Sequence, residues 1–250
     1  MINKINILGV QVADTDISKT TQFVQQAIKD QTKAYICFAT ASTLVDCQNN
    51  SAYRDIINNA GMVVPDGIPL VWMGRIKGSH TIQRTCGPDF LPEFCRISQD
   101  MGYRHFFFGG VEDTLKQLMA NLKTKYPALQ IAGYYSPGLR KVGQMEEAKL
   151  VDQMNSTKAD VLWVGLGSPK QDIWMANHRS LLNIPILFGV GAAFDFLSGQ
   201  KKRAPNWMKR CGLEWFYRLC SEPQRLWKRY LLGNIKFIYY LIKKELLKYG

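Results

Sequence analysis

The sequence is poor in the residues that bind metals or form disulfide bonds. Its 250 residues include only three histidines and six cysteines. The histidines are scattered without metal-ligand spacing, and the cysteines form no CxxC pair. We therefore expect no bound metal, and we expect reduced cysteines that lie mostly in the core, as in a cytoplasmic protein.

Long apolar segments are also missing. The longest apolar stretch, residues 231–242, is interrupted by Lys236 and is shorter than the ~20 residues that cross a bilayer. The first residues, MINKINILGVQVAD, lack the basic flank, apolar segment and cleavage site of a secretory signal. We therefore expect neither a membrane span nor a secretory leader.

Acidic residues are scarce in one region only. Residues 201–250 contain 13 Lys and Arg but 3 Asp and Glu, a net charge of +10. The first 200 residues contain the other 19 basic and 17 acidic residues, a net charge of only +2. Because aromatic residues are interleaved with the basic ones, the C-terminal region is expected to meet an anionic, partly apolar partner.

Short β-branched or aromatic runs alternate with helix-like segments along the first 200 residues, which predicts an α/β fold with a mostly parallel, Rossmann-like sheet flanked by helices. From Gly212 onward, the pattern is helical. We expect a catalytic domain in residues 1–200 and a basic helical appendage in residues 201–250. The predicted strands are 5–12, 34–40, 62–65, 105–109, 130–135, 160–165 and 185–190, and predicted helices include 42–59, 112–126, 144–156 and 223–249.

Ligands of such folds bind beyond the carboxyl ends of the strands, so turn residues there are candidates. Asp66 follows a strand in a Pro-Asp-Gly turn, where it serves either the turn alone or as a general base. Gly167 lies in a glycine turn before a helix, with Ser168 as the expected N-cap and Gln171 completing a capping box. The backbone N–H groups of that turn also suit a phosphate.

Three further segments have weaker signals. Gly109 and Gly110 end another strand, and Gly191 ends the last one. A dinucleotide fingerprint is disfavoured there, because Phe194 replaces the third glycine and Asp195 follows at once. Residues 14–16 read Asp-Thr-Asp, but turn chemistry and a cap at Ser18 account for these acids without a metal.

Together these segments resemble the WecG/TagA/CpsF family of bacterial glycosyltransferases. The resemblance covers residues from about 5 to 232, and its pieces occur in the family's order. No single piece is specific, whereas the ensemble is. The matching pieces are YICFATAS, VVPDGIPLVW, RTCGPDF, FFFGG, GLGSPKQDIW, GVGAAFDFLSG and RAPNWMKRCGLEWFYRLCSEPQRLWKRY.

The resemblance implies an inverting, metal-independent and cofactor-independent transfer of a hexose, typically N-acetylmannosamine. The donor would be a UDP-sugar and the acceptor a polyprenyl-diphosphate-linked sugar at the cytoplasmic face of the membrane. Asp66 would be the general base, Thr40 and Gln171 would line the sugar and acceptor site, and Arg84 would steady the leaving diphosphate. The UDP-sugar would lie near Gly109, Gly110, Gly167, Lys170, Gly191 and Asp195.

The resemblance also implies a C-terminal appendage that docks on the membrane and brings arginines to the active site. Arg218, Arg225 and Arg229 are the equivalents expected here, near the acceptor diphosphate and an anionic membrane surface. Residues 231–250 are expected to extend the membrane contact. The alternative is that this helix packs on the domain.

Other functions remain open at this point. An RNA-binding module would use the basic aromatic segment, but no RNA-binding signature appears and no nucleic-acid partner is expected. A dehydrogenase is the enzymatic alternative. Within the family, the donated sugar could also be glucose, galactose or a uronic acid. The sequence leaves the oligomeric state open, a homo-oligomer included.

Overall fold

The computed structural model describes residues 2–138 and 144–246. Apolar runs form its strands and the amphipathic segments between them form its helices. The strands are β1 (Lys4–Ile7), β2 (Val10–Ala13), β3 (Ala34–Ala39), β4 (Met62–Pro65), β5 (Arg104–Phe108), β6 (Gln130–Tyr135), β7 (Val161–Val164) and β8 (Ile186–Gly189). The helices are α1 (Ile17–Lys29), α2 (Ala41–Asn49), α3 (Ser51–Asn58), α4 (Ile68–Ile76), α5 (Gly87–Met101), α6 (Glu112–Lys125), α7 (Gln144–Ser156), α8 (Lys170–His178), α9 (Ala193–Leu197), α10 (Asn206–Arg210), α11 (Glu214–Ser221), α12 (Pro223–Trp227) and α13 (Gly233–Leu241).

Six parallel strands form the central sheet in the order β4-β3-β8-β7-β5-β6. Every residue of β3, β7 and β8 is buried, because helices cover both faces of these strands. On one face, Trp163 stacks on Phe188 with ring centroids 4.5 Å apart. The predicted α/β fold with a mostly parallel sheet is therefore confirmed.

The first predicted strand is wrong. Residues 5–12 do not enter the parallel sheet but form an antiparallel hairpin of β1 and β2. The chain reverses at Leu8 and Gly9, which have φ angles of 52° and 81°. The side chain of Asn6 accepts a hydrogen bond from the Gly9 N–H (2.9 Å) and holds the turn. Two successive residues with positive φ make a tight hairpin turn, which the apolar character of the run conceals.

Two helix predictions also need correction. The helix expected over residues 42–59 is divided into α2 and α3 at Asn50, whose side chain accepts from the Tyr53 N–H (3.0 Å) and caps the second helix. Asp16, not Ser18, caps α1 by accepting from the Lys19 N–H at 2.8 Å. Asp14 accepts a hydrogen bond from the distant Thr81 hydroxyl (2.8 Å), so each of the two acids has a structural hydrogen bond.

After β8, the described part of the chain forms helices joined by short loops and no further strand, as expected for the appendage. From α12 to residue 246 the helices follow one another through two π-helical segments, Lys228–Leu232 and Ile242–Leu246. This C-terminal helical run packs on α2, where Phe237 is buried and the Tyr240 hydroxyl donates to Asn49 (2.8 Å). The last residues of the helix predicted over 223–249 lie outside the described residues. No described helix is long and apolar enough to cross a membrane.

Candidate active site

A cleft of about 660 Å³ lies at the carboxyl edge of the sheet and is closed on its other side by the C-terminal helices. Parallel strands deliver their ends to one edge, so loops distant in sequence meet there. Of the residues singled out from the sequence, those that line the cleft are Thr40, Asp66, Arg84, Gly167, Gln171, Gly191, Arg218, Arg225 and Arg229.

Asp66 is the first residue after β4 and is held in place by its backbone. Its N–H donates to the Ala39 carbonyl (2.8 Å), which fixes the end of β4 beside that of β3. Its carboxylate accepts no hydrogen bond within the described residues. Burial raises the pKa of Asp66 to about 7; nearby Glu214 adds to the rise, while Arg84 opposes it. A carboxylate with a pKa near neutrality is suited to accept a proton.

Arg84 lies beside this carboxylate on the loop between α4 and α5. The loop is pinned on both sides, since the Thr85 N–H donates to the Pro65 carbonyl (2.8 Å) and the Gln83 N–H donates to Thr15 (3.0 Å). The guanidinium of Arg84 donates to Glu214 at 2.6 Å. A cation is therefore fixed next to the candidate base.

Glu214 is an acidic residue of the site that the sequence analysis missed. It is buried at the start of α11 and accepts from Arg84 and from Arg203 (Nε to Oε1, 3.1 Å), and Arg203 also pairs with Asp89. Burial alone would raise the pKa of Glu214, but the hydrogen bonds and charges of the two arginines hold it below its ordinary value. One signal in the sequence could have found Glu214. Acidic residues are scarce in residues 201–250, so an acid in this basic segment suggests a specific basic partner.

Gln171 has a different role from the predicted helix cap. Its side-chain oxygen accepts from the N–H groups of Gly167 (3.0 Å) and Gly191 (2.9 Å), and its amide nitrogen donates to the Gly189 carbonyl (2.7 Å) and the Ser168 hydroxyl (3.2 Å). The helix α8 begins after Pro169 without a side-chain cap, so Ser168 is not its N-cap. Gln171 instead ties the loop after β7 to the loop after β8. A capping box uses only local spacing, whereas this contact depends on the adjacency of two strands.

Thr40 lines the cleft and also begins α2. Its hydroxyl accepts from the Thr43 N–H (3.3 Å), and the Thr43 hydroxyl accepts from the Thr40 N–H (3.1 Å). This reciprocal capping box positions the helix N-terminus at the cleft, where its N–H groups favour anions.

The three arginines of the appendage all reach the cleft. Arg218 lies over the ring of Phe196, 5.3 Å from its centroid, and its Nε is buried without a hydrogen-bond partner among the described residues. Arg225 pairs with Glu222 at 2.6 Å. Arg229 also borders a second cavity of about 420 Å³ between α2 and the C-terminal helical run. With Arg84, four guanidinium groups surround one cleft, an arrangement suited to a diphosphate.

Four predicted nucleotide contacts are not brought into this cleft. Gly109 and Gly110 follow β5, which lies on the far side of β7, and a side chain at Gly109 would collide with the Gly165 backbone at 2.8 Å. Lys170 is exposed, and Asp195 pairs with Lys201 at 3.0 Å. Their predicted contacts with UDP stay predictions.

A carboxylate and four arginines in one cleft at the carboxyl edge of a parallel sheet suit a transferase that acts on phosphorylated sugars. The chain belongs to the glycosyl transferase WecG/TagA/CpsF family, whose pattern it matches over residues 5–250. It is accordingly a glycosyltransferase of cell-surface polysaccharide biosynthesis.

Curated relatives agree on one activity. The chain is 34% identical to a protein of Bacillus subtilis (strain 168) over 77% of this chain and 73% of the relative. It is 28% identical to a protein of Bacillus spizizenii over 93% and 88%, and 26% identical to one of Staphylococcus aureus (strain MW2) over 94% and 89%. Each of the three is named N-acetylglucosaminyldiphosphoundecaprenol N-acetyl-beta-D-mannosaminyltransferase.

Proposed function

We propose that this chain transfers N-acetylmannosamine from a UDP-sugar to N-acetylglucosamine that is linked through diphosphate to a polyprenyl lipid. The names of the curated relatives support the transferred sugar and the acceptor. The observation that carries the proposal is that Asp66, whose pKa burial raises to about 7, lines the same cleft as four arginines. One base and a cationic cradle are the groups that such a transfer needs.

In the proposed reaction, Asp66 takes the proton of the acceptor hydroxyl as its oxygen forms a bond to the anomeric carbon of the donor. The bond from that carbon to the diphosphate oxygen breaks, its electron pair leaves with UDP, and the configuration inverts. Arg84 steadies the departing diphosphate. Arg218, Arg225 and Arg229 neutralise the remaining phosphate charge of donor and acceptor, and the amino end of α2 at Thr40 faces the sugar.

A donor screen tests this proposal directly. The protein is incubated with the N-acetylglucosaminyl diphosphate of a prenyl alcohol and, in turn, UDP-N-acetylmannosamine, UDP-glucose, UDP-galactose and a UDP-uronic acid. We expect a disaccharide-lipid by mass spectrometry from UDP-N-acetylmannosamine, with one UDP released for each product. Product from another donor alone would reassign the sugar, and no product from any donor would contradict the proposal.

We further propose that the C-terminal region holds the enzyme on the cytoplasmic face of an anionic membrane. Leu231, Ile235, Tyr239 and Ile242 are exposed on the C-terminal helical run, although its other side packs on α2. Exposed apolar side chains beside a net charge of +10 are typical of a helix that lies in the headgroup region.

Truncation after Leu213 is expected to abolish sedimentation with phosphatidylglycerol vesicles, because it removes these residues. Ile235→Glu in the full chain is expected to weaken binding, since it places a charge on the proposed membrane face. The matched control is Leu181→Glu, which changes an exposed leucine in the turn that follows α8. Equal sedimentation of all four proteins would contradict membrane contact by this region.

A further inference from the structure

The cleft that contains the arginines also has a large apolar wall. Trp72 and Ile76 line it from α4, four residues apart and therefore on one face of that helix, yet they are 60% and 76% exposed. Ile238, 57% exposed, and Leu241 line it from α13. Both helices thus contribute uncovered apolar side chains to the same cleft.

The spacing of residues along the C-terminal helical run brings one of its sides to this apolar wall. Tyr230, Asn234, Ile238 and Leu241 all line the cleft, and their spacing places them along one side of the helix. Contiguous apolar surface of this kind, continuous with a polar site, marks a binding surface rather than ordinary exposed residues.

The charges of the cleft restrict its occupant. One part offers Arg84, Arg218, Arg225 and Arg229, and the adjoining part offers tryptophan, isoleucine and leucine. A UDP-sugar has no apolar chain for that second part, whereas an isoprenoid diphosphate has a dianionic head joined directly to an apolar tail. The complementarity of both parts to one molecule is what selects this occupant.

We propose that the apolar wall between α4 and α13 binds the first isoprene units of the lipid-linked acceptor while the arginines hold its diphosphate. The identity of the lipid rests on the proposed function, but the preference for a prenyl diphosphate does not. Trp72 and Ile76 determine the affinity for the chain, and they take no part in binding UDP.

Calorimetry with simple probes tests the wall without requiring transfer. In the presence of saturating UDP, we expect the full-length protein to bind farnesyl diphosphate at least about tenfold more tightly than inorganic diphosphate, as burial of a few isoprene methyl groups predicts. Trp72→Ala and Ile76→Ser are each expected to remove most of that preference and to leave the affinity for inorganic diphosphate unchanged. Both side chains are exposed, so the variants are expected to fold.

The matched control is Trp207→Ala on α10, because Trp207 is 62% exposed but does not line the cleft. It is expected to keep the full preference for farnesyl diphosphate.

Equal wild-type affinity for the two probes would overturn the inference, as would loss of the preference in the control. It would also be overturned if Trp72→Ala kept the preference but lost binding to phosphatidylglycerol vesicles, which would place Trp72 in the bilayer. If the protein prefers farnesyl diphosphate but transfers no sugar, the proposed function is refuted, and the inference that the apolar wall binds a prenyl chain is unaffected.

Discussion

Replacing Asp66 with asparagine is expected to lower kcat by about two to four orders of magnitude and to leave UDP affinity nearly unchanged. An amide of the same shape cannot accept the proton of the acceptor hydroxyl, and general-base catalysis typically contributes a rate factor of that size. The arginines that hold the diphosphates are untouched. Transfer kinetics and UDP calorimetry on the same preparations measure the two effects separately.

The pH dependence provides a second measurement on this variant. Because the pKa of Asp66 is raised to about 7, kcat/KM of the wild type should rise with pH through that value and level off above it. The residual activity of Asp66→Asn should lack this ascending limb. Asp100→Asn, a change of an exposed aspartate near the end of α5, should keep the wild-type profile. An unchanged limb in Asp66→Asn would remove Asp66 as the base.

Stability should change in the opposite direction to activity. The folded-state pKa of Asp66 lies above its unfolded value of about 3.9, so the wild type loses stability as pH rises from about 4 to 7 and stays at the lower level above that. Asparagine does not ionise and avoids this loss. Asp66→Asn should therefore have a higher Tm than the wild type at pH 8, with the difference shrinking as pH falls toward about 4. A lower Tm at pH 8 would show that the carboxylate is a stabilising partner instead.

The sequence was sufficient for those site residues whose position follows from strand topology. Asp66, Gly167 and Gly191 each come directly after an apolar run, and parallel strands place all such positions at one edge. The same rule also selected Gly109, but the strand order puts β5 beyond β7, and Gly109 does not line the cleft. Its predicted contact with UDP stays a prediction.

Side-chain contacts between segments that are distant in sequence could not be predicted from strand topology. Glu214 pairs with Arg84 across 130 residues of chain and also accepts from Arg203, and no local pattern encodes the pairing with Arg84. Residues 5–12 are a case in which a local feature was missed. The two-residue turn at Leu8 and Gly9 lies within an apolar run, which predicts a continuous strand. In both, the deciding energy comes from a specific hydrogen-bonded geometry and not from hydrophobic periodicity.

Gln171 shows most clearly how such a geometry supports the site, and Gln171→Leu is expected to lower stability by about 3 kcal/mol or more. The change leaves the N–H groups of Gly167 and Gly191 and the carbonyl of Gly189 without partners, each at a cost of about 1–3 kcal/mol. For a chain of this length, the Tm should fall by roughly 10 °C. Thermal unfolding followed by circular dichroism measures it.

Activity should fall with the same substitution even below the melting transition. Gly167 and Gly191 line the cleft, so releasing their loops from one another displaces the cleft wall, and a shift of about 1 Å costs on the order of 10²-fold in rate. Gln171→Glu keeps the two accepted hydrogen bonds but sets a carboxylate against the Gly189 carbonyl, so its losses should lie between those of the wild type and leucine. Gln117→Leu, on the exposed face of α6, should match the wild type in both measurements. A Gln171→Leu protein with the wild-type Tm but reduced turnover would instead assign Gln171 a direct contact with substrate.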